Sequence, residues 1–225
     1  MKKIFTPVIF VTCISCSWGH RSFTSQRFNQ QTSQHKKIAI LPPKIILTGN
    51  QPNQYNELEI DRLEIGESKL FQQALFNNLL MSSNKHRRAL LVELQPFETT
   101  LSLLEKNKID VRKCWDMDDI ELSRILGVDA LVRTTIQKER IMSDVAAAGI
   151  FTAGQIVNAI SKDPAIVPVY SRTSSINATC SIVSNNQTLW NDSYVSSSSF
   201  MVPANQVIQN ITIAFARHFP YIKRA

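Results

Sequence analysis

The chain has 225 residues, 44% hydrophobic and 19% charged, with six Gly and nine Pro. This composition excludes a disordered chain, a coiled coil and a collagen-like protein, and a body of this size buries a core without disulfide or metal staples. The 25 Lys and Arg against 18 Asp and Glu give a formal charge of +7, but no basic cluster is interleaved with aromatics or set in a nucleic-acid motif, so no nucleic-acid partner is expected.

Residues 1–16 (MKKIFTPVIFVTCISC) have the form of an export signal. Lys2 and Lys3 supply the charged start, and the apolar stretch from Ile4 to Ile14 is too short to span a bilayer stably. Cys13-Ile14-Ser15-Cys16 resembles a lipobox, in which Cys16 carries the lipid and becomes the first mature residue. Cys13 stands where a lipobox prefers Leu, and Pro7 interrupts the apolar run. The alternative is an ordinary cleaved signal ending near Gly19. Both send the body out of the cytosol. The expected location is the cell envelope through a lipid anchor, the alternative a soluble periplasmic or secreted protein.

Residues 17–35 contain no acidic residue and no Leu, Ile or Val, and read as a flexible polar tether with a reach of roughly 25 Å. The domain is expected over 36–222. Ile38 to Leu41 form a continuous apolar run, as in a strand buried on both faces, which Pro42 and Pro43 end or push to an edge. The spacing predicts a helix over 68–81, with Leu70, Phe71, Ala74, Leu75 and Leu79 on one face. A strand over 89–94 follows, then a helix over 98–106 anchored by Leu101 and Leu104.

Asp118-Asp119-Ile120-Glu121 has capping-box form and opens another helix, with Ile120, Ile125 and Leu126 expected inward and Gly127 closing it. The acidic cluster there suits a helix start and lacks the glycine turn and distal Glu of a calcium loop, so no metal is expected. A third strand covers 129–141. Over 170–184, apolar and polar residues alternate. Asn185-Asn186-Gln187 makes a turn to a hairpin partner over 188–197. The last helix, 205–219, turns Ile208, Ile211, Phe215 and Phe219 inward, and Pro220 stops it. The implied fold is one α/β domain with a mixed sheet and helices packed on it. Its element order is β-α-β-α-α-β, a helical or mobile insert, then β-β-α.

This order, with KKIAILPP at 36–43, LGVDALV at 126–132, LW at 189–190 and FPY at 219–221, resembles the envelope lipoprotein family that comprises CsgG, LpoB and the amino-terminal domain of TolB. The resemblance spans about residues 36–222. It implies a non-enzymatic interaction or assembly role at the cell envelope, a protein partner there, and a body in the periplasm anchored to the outer membrane. The alternative it carries is a subunit of an oligomeric outer-membrane secretion channel. In curli-type pores the segment before the hairpin supplies membrane strands. Here the charge-free run 145–161 (VAAAGIFTAGQIVNAIS) takes that place, as a packed helix, a membrane-contacting segment or a mobile loop. It lacks the aromatic girdle of membrane strands. Gly149, Phe151, Ala153 and Ile156 are its candidates for oligomer or membrane contact.

No GxSxG, HExxH or P-loop occurs, and no His among His20, His35, His86 and His218 lies in a nucleophile–base motif. No enzymatic activity and no cofactor are expected. A small periplasmic enzyme with a site assembled from scattered residues is the remaining alternative. Trp190 and Tyr194 share strand parity and are the candidate partner surface, or else core packing. Cys114 and Cys180 either pair in an oxidising compartment or stay as thiols, Cys180 being placed on an apolar strand face.

Overall fold

A computed structural model describes residues 21–49, 57–84, 88–140, 174–198 and 202–224. The central layer is a mixed sheet. Its strands are β1 (Arg21–Thr24), β2 (Lys37–Ile40), β3 (Lys44–Gly49), β5 (Glu93–Leu94), β6 (Ala130–Arg140), β7 (Ser174–Ser184) and β8 (Gln187–Ser198). They lie in the order β1-β8-β7-β6-β2-β5, with β3 also paired to β6. The β6, β7, β8 and β1 pairs are antiparallel, while β2, β3 and β5 run parallel to their neighbours. A separate pair joins β4 (Arg88–Leu90) and β9 (Ile222–Arg224).

Helices cover the sheet on both sides. On one side Phe71, Leu75 and Leu79 of α2 (Glu57–Ser83) and Ile211, Phe215 and Ala216 of α6 (Ala204–His218) pack on Ile38, Ile40, Val132, Ile176, Ile182 and Trp190. On the other, Leu104 of α3 (Phe97–Lys106), Cys114 of α4 (Val111–Asp116) and Leu122 and Leu126 of α5 (Asp119–Leu126) pack on Ala39, Leu41, Leu131 and Val183. Alternation along β2 therefore sends Ile38 and Ile40 to one core and Ala39 and Leu41 to the other, which is why the run is continuously apolar. The domain is a single α/β unit with a mixed sheet.

β2 and β3 lie along one side of β6, at Ala130–Val132 and Thr135–Arg140 respectively, with Leu41-Pro42-Pro43 between them. Proline has no N–H to give a ladder, and the carbonyls of this stretch find side-chain donors. The Gln72 amide donates to Ile40 O (2.7 Å), the Trp115 indole to Pro42 O (3.1 Å) and the Ser68 hydroxyl to Pro43 O (2.7 Å).

The Asp118 carboxylate accepts from the amides of Ile120 and Glu121 and caps α5, and Gly127 closes it at φ 65°. Several expectations are corrected. Ile120 and Leu70 face solvent; Leu122 joins the expected Leu126 in anchoring α5. The strand expected over 89–94 divides into β4 and β5. The tether expected over 17–35 is part of the domain from residue 21: β1 pairs with β8 from Arg21↔Ser193 to Thr24↔Trp190, and α1 (Phe28–Gln31) buries Phe28 beside Tyr221 at 5.5 Å between ring centroids. The domain also runs on past 222 through β9. Cys114 and Cys180 are free thiols in opposite cores, so the pairing reading is set aside.

Candidate functional site

A groove runs between α2 and the α3–α4 corner, and the sequence forms it in three steps. α3 ends at Asn107, and Lys108 takes the left-handed conformation at φ 56°, turning the chain through hydrogen bonds from Lys108 N to Glu105 O and Ile109 N to Leu104 O, each 2.9 Å. Ile109 is buried and ties the corner to the core. Asp110 then caps α4, its carboxylate accepting from the Lys113 amide at 2.7 Å.

Two hollows meet at Asp110. The first, about 510 Å³, is lined by Ile65 and Lys69 of α2, Leu101, Leu104 and Glu105 of α3, and residues 108–111. The second, about 460 Å³, is lined by Lys44, Ile45 and Ile46 of β3, Glu64 of α2, and Arg112, Lys113, Trp115 and Asp116 of α4. The first is mainly apolar, with Leu104 and Ile109 forming its buried floor. The second is charged and internally paired. Arg112 binds the carboxylates of Asp61 and Glu64 and lies 5.5 Å from the Trp115 ring centre; Lys44 binds Asp116 at 2.9 Å. Lys69, Lys108, Lys113 and Glu105 form no ion pair among the described residues.

Two other polar sites serve the fold. His35 and Tyr221 border a hollow of about 220 Å³, with His35 Nδ1 and the Tyr221 hydroxyl 2.6 Å apart. Burial lowers the His35 pKa, against the opposing pull of Asp129, and burial raises that of Tyr221, helped by Asp129. Both shifts favour the uncharged forms, a protonated phenol beside a neutral imidazole. Burial works against the Asp129 carboxylate, but the amides of Lys37 and Lys36, at 2.9 and 2.7 Å, keep its pKa low. The second site is Asp192, fully buried on β8 with Oδ2 3.5 Å from His218 Nδ1 at the end of α6. It faces Cys180 across the β7–β8 ladder. Burial pushes the Cys180 thiol up to about 12, which disfavours its thiolate form. Among the described residues no group of three or more His, Cys, Asp or Glu is arranged to hold a metal ion, and no helix is long and apolar enough to cross a membrane.

Of the residues singled out in the sequence, Cys16, Gly149, Phe151, Ala153 and Ile156 lie outside the described residues. Trp190 is corrected as a partner surface: it is 1% exposed and stacks edge-on against Phe219 at 5.7 Å. Tyr194 is partly buried against the same core. Even-numbered positions at this end of β8 face the helices; the outward side carries Val195, 59% exposed. The groove went unread. Its signals were Leu101 and Leu104 followed by the charge-dense EKNKIDVRK at 105–113, a stretch with α4 in it that is too short to show a helical period.

No family model and no curated protein matches the chain. Solved structures that align with the chain include lipoprotein GNA1162 from Neisseria meningitidis, at 11% identity and a TM-score of 0.44, covering 80% of this chain and 94% of that one. The PelC dodecamer from Paraburkholderia phytofirmans aligns at 8% identity and a TM-score of 0.40, over 87% and 92% of the two chains. The C-terminal domain of LpoB from Salmonella enterica aligns at 6% identity and a TM-score of 0.33, over 76% and 93%.

Proposed function

We propose that this chain is an exported envelope lipoprotein, anchored through Cys16, whose α/β domain binds another protein and performs no chemistry of its own. The observation that carries the reading is the groove. It is two joined hollows with an apolar floor and a charged rim, set between helices on a rigid sheet, and it suits the capture of a partner's surface segment. The export signal and lipobox-like run at 1–16 support the address.

The test uses the full-length chain in its own cells. A photoreactive residue replaces Lys108 in the groove in one strain and the exposed Val195 on the sheet in another. After irradiation, a specific envelope protein joined to either position is the expected result. The chain should also partition with membranes, and Cys16→Ala should release it. No protein adduct from either position sinks the interaction reading. A Cys16→Ala chain that still sediments with membranes sinks the anchor.

A further inference from the structure

We infer that the outer face of the α2–α6 helix pair is the contact through which two copies of this chain form a two-fold dimer. The dimer lies beyond the proposed capture of a partner in the groove and does not depend on it.

α2 and α6 lie side by side over the sheet, and the Asn78 amide of α2 crosses their seam to Gln209 Oε1 (3.0 Å) and Thr212 Oγ1 (2.8 Å) of α6. Two rows of side chains flank the seam on the side away from the sheet. Leu70, Asn77 and Met81 follow one another along α2 at helical spacing, and Asn205, Gln209 and Ile213 do so along α6. All six are exposed, the apolar ones to 59% at Leu70, 64% at Met81 and 37% at Ile213. Scattered exposed apolar side chains are ordinary. What singles out this face is that no charge accompanies them. Residues 70–83 and 204–216 contain no Asp, Glu, Lys or Arg, whereas α3, α4 and α5 each show solvent a charge, at Glu105, Lys113 and Glu121. Charge is what the core of a protein–protein contact lacks and what a face kept in water ordinarily carries. Lys69 and Arg217 stand at the margins of the face, where a contact keeps its polar rim.

The same composition selects a second copy as the occupant. A two-fold contact sets one patch against itself, so a charge inside it meets its own sign. This patch holds none. Its Asn and Gln amides each carry a donor and an acceptor and so match their own kind, while Leu, Met and Ile pack on one another. A foreign partner selected by charge complementarity would find no charge to read here. Each charge-free stretch is about 20 Å long and each helix about 10 Å wide, so the pair offers a face of about 20 by 20 Å, at the small end for a dimer contact. The dimer is therefore a reversible one, to be measured over a concentration series.

The experiment is sedimentation equilibrium of the full-length chain in density-matched mild detergent. The parent should approach twice the chain mass as its concentration rises. Met81→Lys with Ile213→Lys raises the dissociation constant by about tenfold or more, and so does Met81→Glu with Ile213→Glu. Both positions are exposed, so the circular dichroism of the two variants stays that of the parent. Mixed together, the lysine and glutamate variants form a joint dimer, because each patch then meets the opposite sign. Val195→Lys, on the open side of the sheet, leaves the parent's mass unchanged. Four results overturn the proposal: a parent that is monomeric at every concentration, which gives the face to a different protein; an assembly of more than two chains; a mass indifferent to the lysine pair; or lysine and glutamate variants that do not combine.

Discussion

The His35 imidazole is held neutral by burial beside Tyr221, so folding and acid compete for it. Its folded pKa lies below the ordinary 6.5, and the unfolded chain therefore takes up a proton first as pH falls. The stability it contributes is complete above about pH 6.5 and is lost as pH drops below that value toward the folded pKa. Urea midpoints measured between pH 7.5 and 5 should fall, and His35→Gln should flatten the fall while lowering the pH 7.5 midpoint through the lost hydrogen bond, worth about 1 kcal/mol. An unchanged slope in the variant would assign the acid sensitivity elsewhere. The two buried thiols give a second test at this scale. Burial pushes Cys114 up to about 11 and Cys180 up to about 12, and the sheet stands between them. Intact-mass analysis after iodoacetamide at pH 8 should find both unmodified in the native protein and both alkylated in guanidinium. Oxidation should not join them. A native Cys114–Cys180 bridge would contradict the fold itself.

At the scale of elements, the Leu41-Pro42-Pro43 interruption joins strand to helix through polar groups. Ser68 and Gln72 lie on the buried side of α2 because Pro43 O and Ile40 O need donors there. Asn78, further along the same side, donates to Thr212 Oγ1 of α6 at 2.8 Å. Ser68→Ala and Gln72→Leu should each cost about 1–3 kcal/mol in denaturant melts, since each leaves a buried carbonyl without its donor. A double variant as stable as the parent would mean that water reaches those carbonyls. The same polar residues explain what the sequence reading got right and wrong. The 3.6-residue period located α2 and its anchors Phe71, Leu75 and Leu79. Counting Ser68, Gln72 and Asn78 as polar rotated the inferred face, put Leu70 inside and hid the helix N-terminal to residue 68. Where one local rule acted alone the reading held: the Asp118 cap, the Gly127 stop, the hairpin turn at 185–187 and the doubly buried β2. The groove was illegible for the complementary reason. It is made by a left-handed Lys108, a six-residue helix and a face of α2 that meet only in three dimensions.

For the whole molecule, the consequence of the amino-terminal correction is largest. Residues 21–35 looked unstructured because they hold no aliphatic residue, only two Phe side chains for apolar anchors, and show no period. Yet they close the sheet. β1 covers the edge of β8, Ser25 N donates to Leu189 O at 2.9 Å, Gln31 reaches Gln187 at 3.1 Å, and Phe28 packs on Tyr221. If Cys16 carries the lipid, five residue steps separate the anchor from β1, at most about 18 Å of fully extended chain. The domain is then held against the membrane and does not hang from it on a long tether. Two truncated chains test this. One beginning at residue 21 should keep the stability of the full domain. One beginning at residue 36 loses the burial of Phe28, worth about 3 kcal/mol by itself, and leaves β8 with an open, hydrogen-bonding edge. It should unfold at markedly lower urea and associate as its concentration rises, by light scattering. Equal midpoints for the two would return residues 21–35 to the role of a tether and set the domain free of the membrane again.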